Sequence, residues 1–344
     1  MTLRILQTLQ TLRTILCNFA AANANVKCFT FVYVFLQKMI MKEKIAALKK
    51  SKNAIILAHY YTRPEVQEIA DFVGDSLALS QKAATTDADI ILFAGVHFMA
   101  ETAKILNPTK KVLIPDLSAG CSLADSCPDE DFARFLEKYP GYTVLSYINC
   151  SARVKAMSDI IVTSGNALRI VNALPKDEKI VFAPDRNLGR YINEKTGRNM
   201  VLWDGACHVH DHICPADIEE AKRQHPDAVV IAHPECPKSV LALADVIGST
   251  AAMLKDVAAS DATEFIVVTE EGIMHELLKR NPDKKFYTVT PRSEHGDCVN
   301  CQYMKQNTLE NICRALETEQ PELLLDAALM DRARRPIEKM LSLS

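Results

Sequence analysis

Ala54-Ile-Ile-Leu-Ala-His-Tyr-Tyr61, Tyr142-Thr-Val-Leu-Ser-Tyr-Ile-Asn149 and Ala228-Val-Val-Ile-Ala-His-Pro-Glu235 decide the fold, because they are three copies of one pattern. Each is followed by a helical run ending in aspartate: Pro64–Asp71, Ala152–Asp159 and Pro237–Asp245. Anchored on Val66, Val154 and Val240, the copies align without a gap, and an internal repeat governs how everything else is read. His59, Tyr147 and His233 become equivalent, as do Tyr61, Asn149 and Glu235, then Asp71, Asp159 and Asp245, then Ser76, Ser164 and Thr250. A β-branched apolar run of about five residues reads as a strand buried on both faces. Its polar pair at i, i+2 leaves the strand on one side. A second strand ends near each Ser/Thr. Further runs complete the thirds: Ile90–Phe93 and Val112–Ile114, Ile180–Phe182 and Met200–Trp203, Phe265–Val268 and Phe286–Val289.

Strands alternating with helices predict an α/β fold of parallel sheets covered on both faces, here three αβα three-layer domains. Ligands of such sheets bind at the carboxyl edge of the strands, where the polar pairs and the Ser/Thr positions fall. A single copy would mean only that a strand end meets water. Three in one register predict a shared central active site, and we expect the three domains to be arranged around it as pseudo-threefold-related copies.

Composition narrows the function classes. The 344 residues carry 40 Lys+Arg and 43 Asp+Glu, a net charge of −3, with no long block of like charge. That excludes a basic nucleic-acid surface and an acidic tail. The longest apolar stretch, Cys28–Leu36, is half of the roughly 18 residues a membrane span requires, so no membrane partner is expected. Residues 1–42 contain no Asp or Glu, and no Ser precedes Ser51. Gln7, Gln10 and Arg13 interrupt any secretory apolar core, and a transit peptide would be Ser-rich. We therefore expect residues 1–41 to be an extension outside the fold, with initiation at Met39 or Met41. A short amphipathic helix over Lys42–Lys50 opens the first domain (42–138), followed by domains at 139–223 and 224–304 and a helical tail at 305–344.

The eleven cysteines are odd in number and widely spaced, which argues against a disulfide scaffold. Three stand out. Cys121, Cys207 and Cys301 each follow the last strand of a third, in a loop on the same carboxyl edge. Three thiols meeting on an axis suggest a metal site, and an iron–sulfur cluster, zinc or merely buried thiols all remain open at this point. Cys127, Cys150, Cys214, Cys236 and Cys313 read as packing or spectator thiols. Cys298 forms Cys-x-x-Cys with Cys301, a spacing that could support a reversible disulfide.

His59-Tyr-Tyr61 with Pro64–Ser76, Phe93–Ala103, Val162-Thr-Ser-Gly-Asn166, His233-Pro-Glu-Cys236 and Cys298-Val-Asn-Cys-Gln-Tyr-Met304 resemble the signatures of the quinolinate synthase family. The resemblance runs over about residues 42–343. It implies a triangular protein of three αβα domains. It also implies one four-iron four-sulfur cluster held by Cys121, Cys207 and Cys301, with one iron open to substrate. The implied reaction condenses iminoaspartate with dihydroxyacetone phosphate to quinolinate, phosphate and water in NAD biosynthesis. Such a protein would be a cytoplasmic transferase-type enzyme, linked in function to an aspartate-oxidising enzyme that supplies the imine. Glu235 is then the candidate general base, and His59, Tyr61, Tyr147 and His233 supply acid functions and orient a carbonyl. Asn149 can donate to an oxyanion, and His210 falls where the family places an active-site histidine, with His208 and His212 left to solvent. Ser76, Ser164 and Thr250 are expected to begin helices and bind phosphate or carboxylate. Asp71, Asp159 and Asp245 are expected to make structural hydrogen bonds, and Phe98 and Met99 to be core. Two rivals stand beside this reading: a zinc-dependent lyase or aldolase using Cys207, His210 and a second thiol, and a non-catalytic iron–sulfur sensor.

Overall fold

The computed structural model of the chain describes residues 26–289 and 299–344, so the expectation for Cys298 lies outside the described residues. Among the described residues, twelve strands form three four-stranded sheets. The first contains β1 (Ala54–His59), β2 (Phe72–Gly74), β3 (Ile90–Ala94) and β4 (Lys111–Leu113). The second contains β5 (Thr143–Tyr147), β6 (Ile160–Val162), β7 (Ile180–Ala183) and β8 (Val201–Leu202). The third contains β9 (Val229–Ala232), β10 (Val246–Ile247), β11 (Glu264–Val268) and β12 (Lys285–Thr288). The orders are β2-β1-β3-β4, β6-β5-β7-β8 and β10-β9-β11-β12, one arrangement used three times. All pairings are parallel. Helices between the strands cover the faces, which explains why β3 and β7 are buried along their whole length.

The repeated aspartates show how the repeat is built. Asp71 accepts the Ile56 N–H on Oδ2 at 2.8 Å and gives its own N–H to the Ile56 carbonyl at 2.9 Å. Asp159 does the same to Val144, and Asp245 to Val230, at the same distances. Each side chain thus caps the near end of a first strand while its backbone starts the second. Their role is structural, as expected, and it sets the register that carries β1, β5 and β9 to their polar ends.

The first described helix runs Val26–Ser51, well upstream of the Lys42 start read from the sequence. No Gly or Pro interrupts that span, so nothing in it stops a helix from propagating. Ile45 on this helix and Leu309, Ile312 and Leu316 on Leu309–Thr318 pack together over Ile56, Leu92 and Leu113 of the first sheet. The helix Ala327–Ser342 buries Ala333, Ile337 and Met340 in the largest core, with Leu145, Ile160 and Val162 of the second sheet. Cys127 and Cys150 pack in one core, Cys236 in a second and Cys313 in a third, whereas Cys214 is exposed.

Candidate active site

β1, β5 and β9 deliver His59-Tyr-Tyr61, Tyr147-Ile-Asn149 and His233-Pro-Glu235 to one cavity. Ser76, Ser164 and Thr250, the thiols Cys121, Cys207 and Cys301, and His210 line it as well. Every site residue named from the sequence is therefore brought together. The cavity measures about 70 Å³, several times the roughly 15 Å³ that one buried water occupies. Phe98 and Met99, buried as expected, also form part of its wall.

Glu235 is the hub. Its carboxylate accepts the Tyr147 hydroxyl at 2.5 Å on Oε1 and faces His210 Nδ1 at 3.1 Å with Oε2. The His233 ring lies 3.6 Å from Oε1 and stacks on the His210 ring at 4.9 Å between centroids. All four side chains are almost wholly buried. Burial alone would raise the Glu235 carboxyl, but the His210 and His233 rings and the Tyr147 hydroxyl outweigh it and bring it down to about 2. Glu235 is thus an anion at neutral pH. Burial drives His59 and His233 the other way, down to about 3, so both rings are neutral there. The Tyr61 and Tyr147 phenols are held well above 10, by burial first and by the Glu235 charge second.

A second chain of hydrogen bonds runs from Tyr61 through a residue that the sequence reading missed. The Tyr61 hydroxyl lies 2.7 Å from Thr269 Oγ1, which lies 2.8 Å from His210 Nε2. Glu270, also missed, lines the cavity, accepts the Cys301 N–H at 3.0 Å and pairs with Lys305 at 2.8 Å. Both follow β11 at its carboxyl edge. The residues after β3 and β7 are Gly95-Val96 and Pro184-Asp185, so no repeated polar pair marked the position.

Two expectations need correction. Ser76 and Thr250 are first residues of helices, with Asp75 and Ser249 as the capping side chains. Ser164 does not begin a helix; that helix starts at Ala167, and Ser164 sits in the preceding turn, 3.3 Å from His233 Nε2. The Asn166 side-chain oxygen, Oδ1, accepts the Thr163 N–H at 2.6 Å, which closes the turn first. Nor is His208 solvated: its Nδ1 lies 2.5 Å from Ser122 Oγ, and it is half-buried in the cavity wall. His212 is exposed, as expected. Asn149 Oδ1 is buried without a hydrogen-bond partner, the signature of an atom awaiting a ligand or water.

The thiols are the remaining chemistry. Burial pushes Cys121 up to about 12 and Cys301 up to about 11, and Cys207 well above its ordinary value. Cys301 raises Cys121 further, and Cys121 and Cys301 both raise Cys207, because thiolates this close repel. Such thiols ionise when a metal takes the place of their protons. No other described cysteine lines the cavity. Cys207, His210 and Glu235 also place one potential ligand atom each within 4.8 Å of one another.

Comparison with known proteins gives this arrangement a family. Residues 43–342 match the quinolinate synthetase A protein family. The quinolinate synthase of Synechocystis sp. is 56% identical over 300 residues, covering 87% of this chain and 94% of that protein. That of Rippkaea orientalis is also 56% identical, over 87% of this chain and 92% of its own. That of Trichodesmium erythraeum is 54% identical over 302 residues, 88% of this chain and 93% of its own. With near-complete coverage of both partners and identity far above the level at which folds diverge, the chain belongs to the quinolinate synthetase A family.

Proposed function

We propose that the cavity is a central active site, shared by three domains about a pseudo-threefold axis, that condenses iminoaspartate with dihydroxyacetone phosphate to quinolinate for NAD biosynthesis. The observation that carries the reading is that three thiols, one from each third of the chain, line the same small cavity as the repeated polar pairs. Cys121, Cys207 and Cys301 would hold a four-iron four-sulfur cluster. They fit it in being soft, half-buried in the wall of the cavity and, among the described residues, free of any partner thiol. Such a cluster, when bound through three cysteines, supplies a Lewis-acidic iron with a position open to a substrate oxygen.

The chain's own residues then have distinct tasks. Ser76 and Thr250 offer hydroxyls and helix-start N–H groups to the phosphate or carboxylates, and Ser164 offers a hydroxyl from its turn. The free Asn149 amide can orient a substrate oxygen or donate to an oxyanion. Glu235 remains the candidate general base, acting together with the imidazoles. Its carboxylate, an anion at neutral pH, is the buried charge toward which a substrate proton would be drawn, with the Tyr147 hydroxyl and the neutral His233 ring beside it. Tyr61 and Tyr147, un-ionised at neutral pH, are donors. The buried walls exclude bulk water from an imine that would otherwise hydrolyse. An aspartate-oxidising enzyme would supply the imine, and the reaction would run in the cytoplasm.

Anaerobically purified protein, given iminoaspartate and dihydroxyacetone phosphate, should release quinolinate and phosphate in equal amounts. Phosphate release without quinolinate would overturn the condensation. Iron-loaded protein that converts neither substrate would favour the sensor reading.

A further inference from the structure

Three possible metal ligands of different chemistry meet in one corner of the cavity. The Cys207 sulfur, a His210 ring nitrogen and a Glu235 carboxylate oxygen lie within 4.8 Å of one another. The set shares only Cys207 with the three thiols. Its donors match those of zinc sites that keep three protein ligands and leave a fourth position open.

The surroundings already orient these ligands. His210 is 2% exposed, and its Nε2 is hydrogen-bonded to Thr269 Oγ1 at 2.8 Å. Its Nδ1 faces Glu235 Oε2 at 3.1 Å but has no aligned hydrogen bond. A buried imidazole with one nitrogen fixed by an outer partner and the other set beside a carboxylate without an aligned hydrogen bond is poised to ligate together with that carboxylate. Tyr147 anchors the other carboxylate oxygen at 2.5 Å, which turns Oε2 toward the ring. Zinc at about 2.0 Å from N and O and about 2.3 Å from S draws its ligand atoms to roughly 3.5 Å apart. His210 and Glu235 already stand within that spacing, so only the Cys207 side chain has to close in.

We infer that the chain, when it carries no iron–sulfur cluster, binds one zinc ion through Cys207, His210 and Glu235. Zinc and cluster exclude each other, because both require Cys207. On binding, zinc sheds water and the Cys207 thiol releases its proton to solvent; no oxidant or reductant is needed. The zinc site stands independently of the cluster reading, whereas the exclusion rests on it.

The test uses the full chain, stripped of iron by a chelator under anaerobic conditions and titrated with zinc against a chromophoric competitor. One zinc per chain should bind, and zinc-edge X-ray absorption should show one sulfur with nitrogen and oxygen neighbours. His210→Gln and Glu235→Gln should each weaken zinc by more than about a hundredfold, Thr269→Val by about tenfold to a hundredfold, and Cys301→Ser should leave it unchanged. Three sulfur neighbours, or zinc affinity lost in Cys301→Ser but kept in Glu235→Gln, would overturn the site; so would no stoichiometric binding. The absorption spectrum of unaltered protein decides the matter even if a variant misfolds. Zinc-loaded protein should then resist iron–sulfur reconstitution until zinc is chelated. Reconstitution at the zinc-free rate, with zinc retained, would overturn the exclusion alone.

Discussion

Replacing Glu235 by Gln removes one charge and almost no volume, at the point where the proposed chemistry and the structure meet. The side chain holds the Tyr147 hydroxyl at 2.5 Å and faces His210 at 3.1 Å. An amide can keep the Tyr147 bond by accepting it on its oxygen, and its NH₂ group can face His210 Nδ1 across the same gap, so the fold should survive. The carboxyl is brought from 4.5 to about 2 in the folded chain. A lowered carboxyl contributes stability that is present above its unfolded value and fades as pH falls from about 4.5 toward 2. At about 1.4 kcal/mol per unit, that contribution is at most ~3 kcal/mol at pH 7. The amide's neutral hydrogen bonds recover ~1 kcal/mol of it. Denaturant unfolding should therefore place the variant about 1–3 kcal/mol below the parent at pH 7, with the difference closing toward pH 2–3. Iron content should be unchanged. Quinolinate formation should fall by about 10²–10⁴, the usual worth of an acid–base group. Turnover within threefold of the parent, with iron intact, would remove Glu235 from the proton transfers.

Other outcomes follow from the same structure. Cys121→Ser, Cys207→Ser and Cys301→Ser should each abolish cluster assembly, while Cys298→Ser should keep it; iron analysis of the four variants decides the ligand set. Asp159→Ala removes the acceptor of the Val144 N–H and should cost about 1–3 kcal/mol in denaturant unfolding, with the cavity chemistry retained. A Cβ on Gly272 would lie 2.7 Å from the Tyr61 backbone and 2.8 Å from Glu270, so Gly272→Ala should destabilise by about 1–3 kcal/mol and reduce turnover through Tyr61. His59 and His233 are neutral when folded but bind protons below about 6.5 when unfolded, so the unfolded state gains protons as pH falls. Between pH 7 and pH 5 the pair should lose roughly 4 kcal/mol of stability. A flat profile over that range, or the parental slope in the His59→Asn/His233→Asn variant, would contradict their burial.

The sequence showed the repeat because each copy needs the same three things: a strand buried on both faces, a polar exit and an aspartate to start the next strand. Those needs recur at fixed spacing, so Asp71, Asp159 and Asp245 could be placed and their structural role anticipated. What lay outside the repeat was not legible. Thr269 and Glu270 occupy a strand end whose equivalents are Gly95-Val96 and Pro184-Asp185, so no register pointed to them. Ser164 shares its alignment with Ser76 and Thr250, yet the Asn166 side chain closes a turn that delays the helix by three residues. His208 looked like a solvated neighbour of His210 because its partner, Ser122, is 86 residues away in sequence. The early start of the first helix was hidden by an apolar, acid-free composition that resembles an extension and propagates as helix all the same.

Iron and acid-labile sulfide in anaerobically purified protein show whether Cys121, Cys207 and Cys301 together hold a cluster. The protein should be brown, with about four irons and four sulfides per chain, both lost in Cys121→Ser. A colourless, active protein, carrying zinc or no metal, would contradict the cluster.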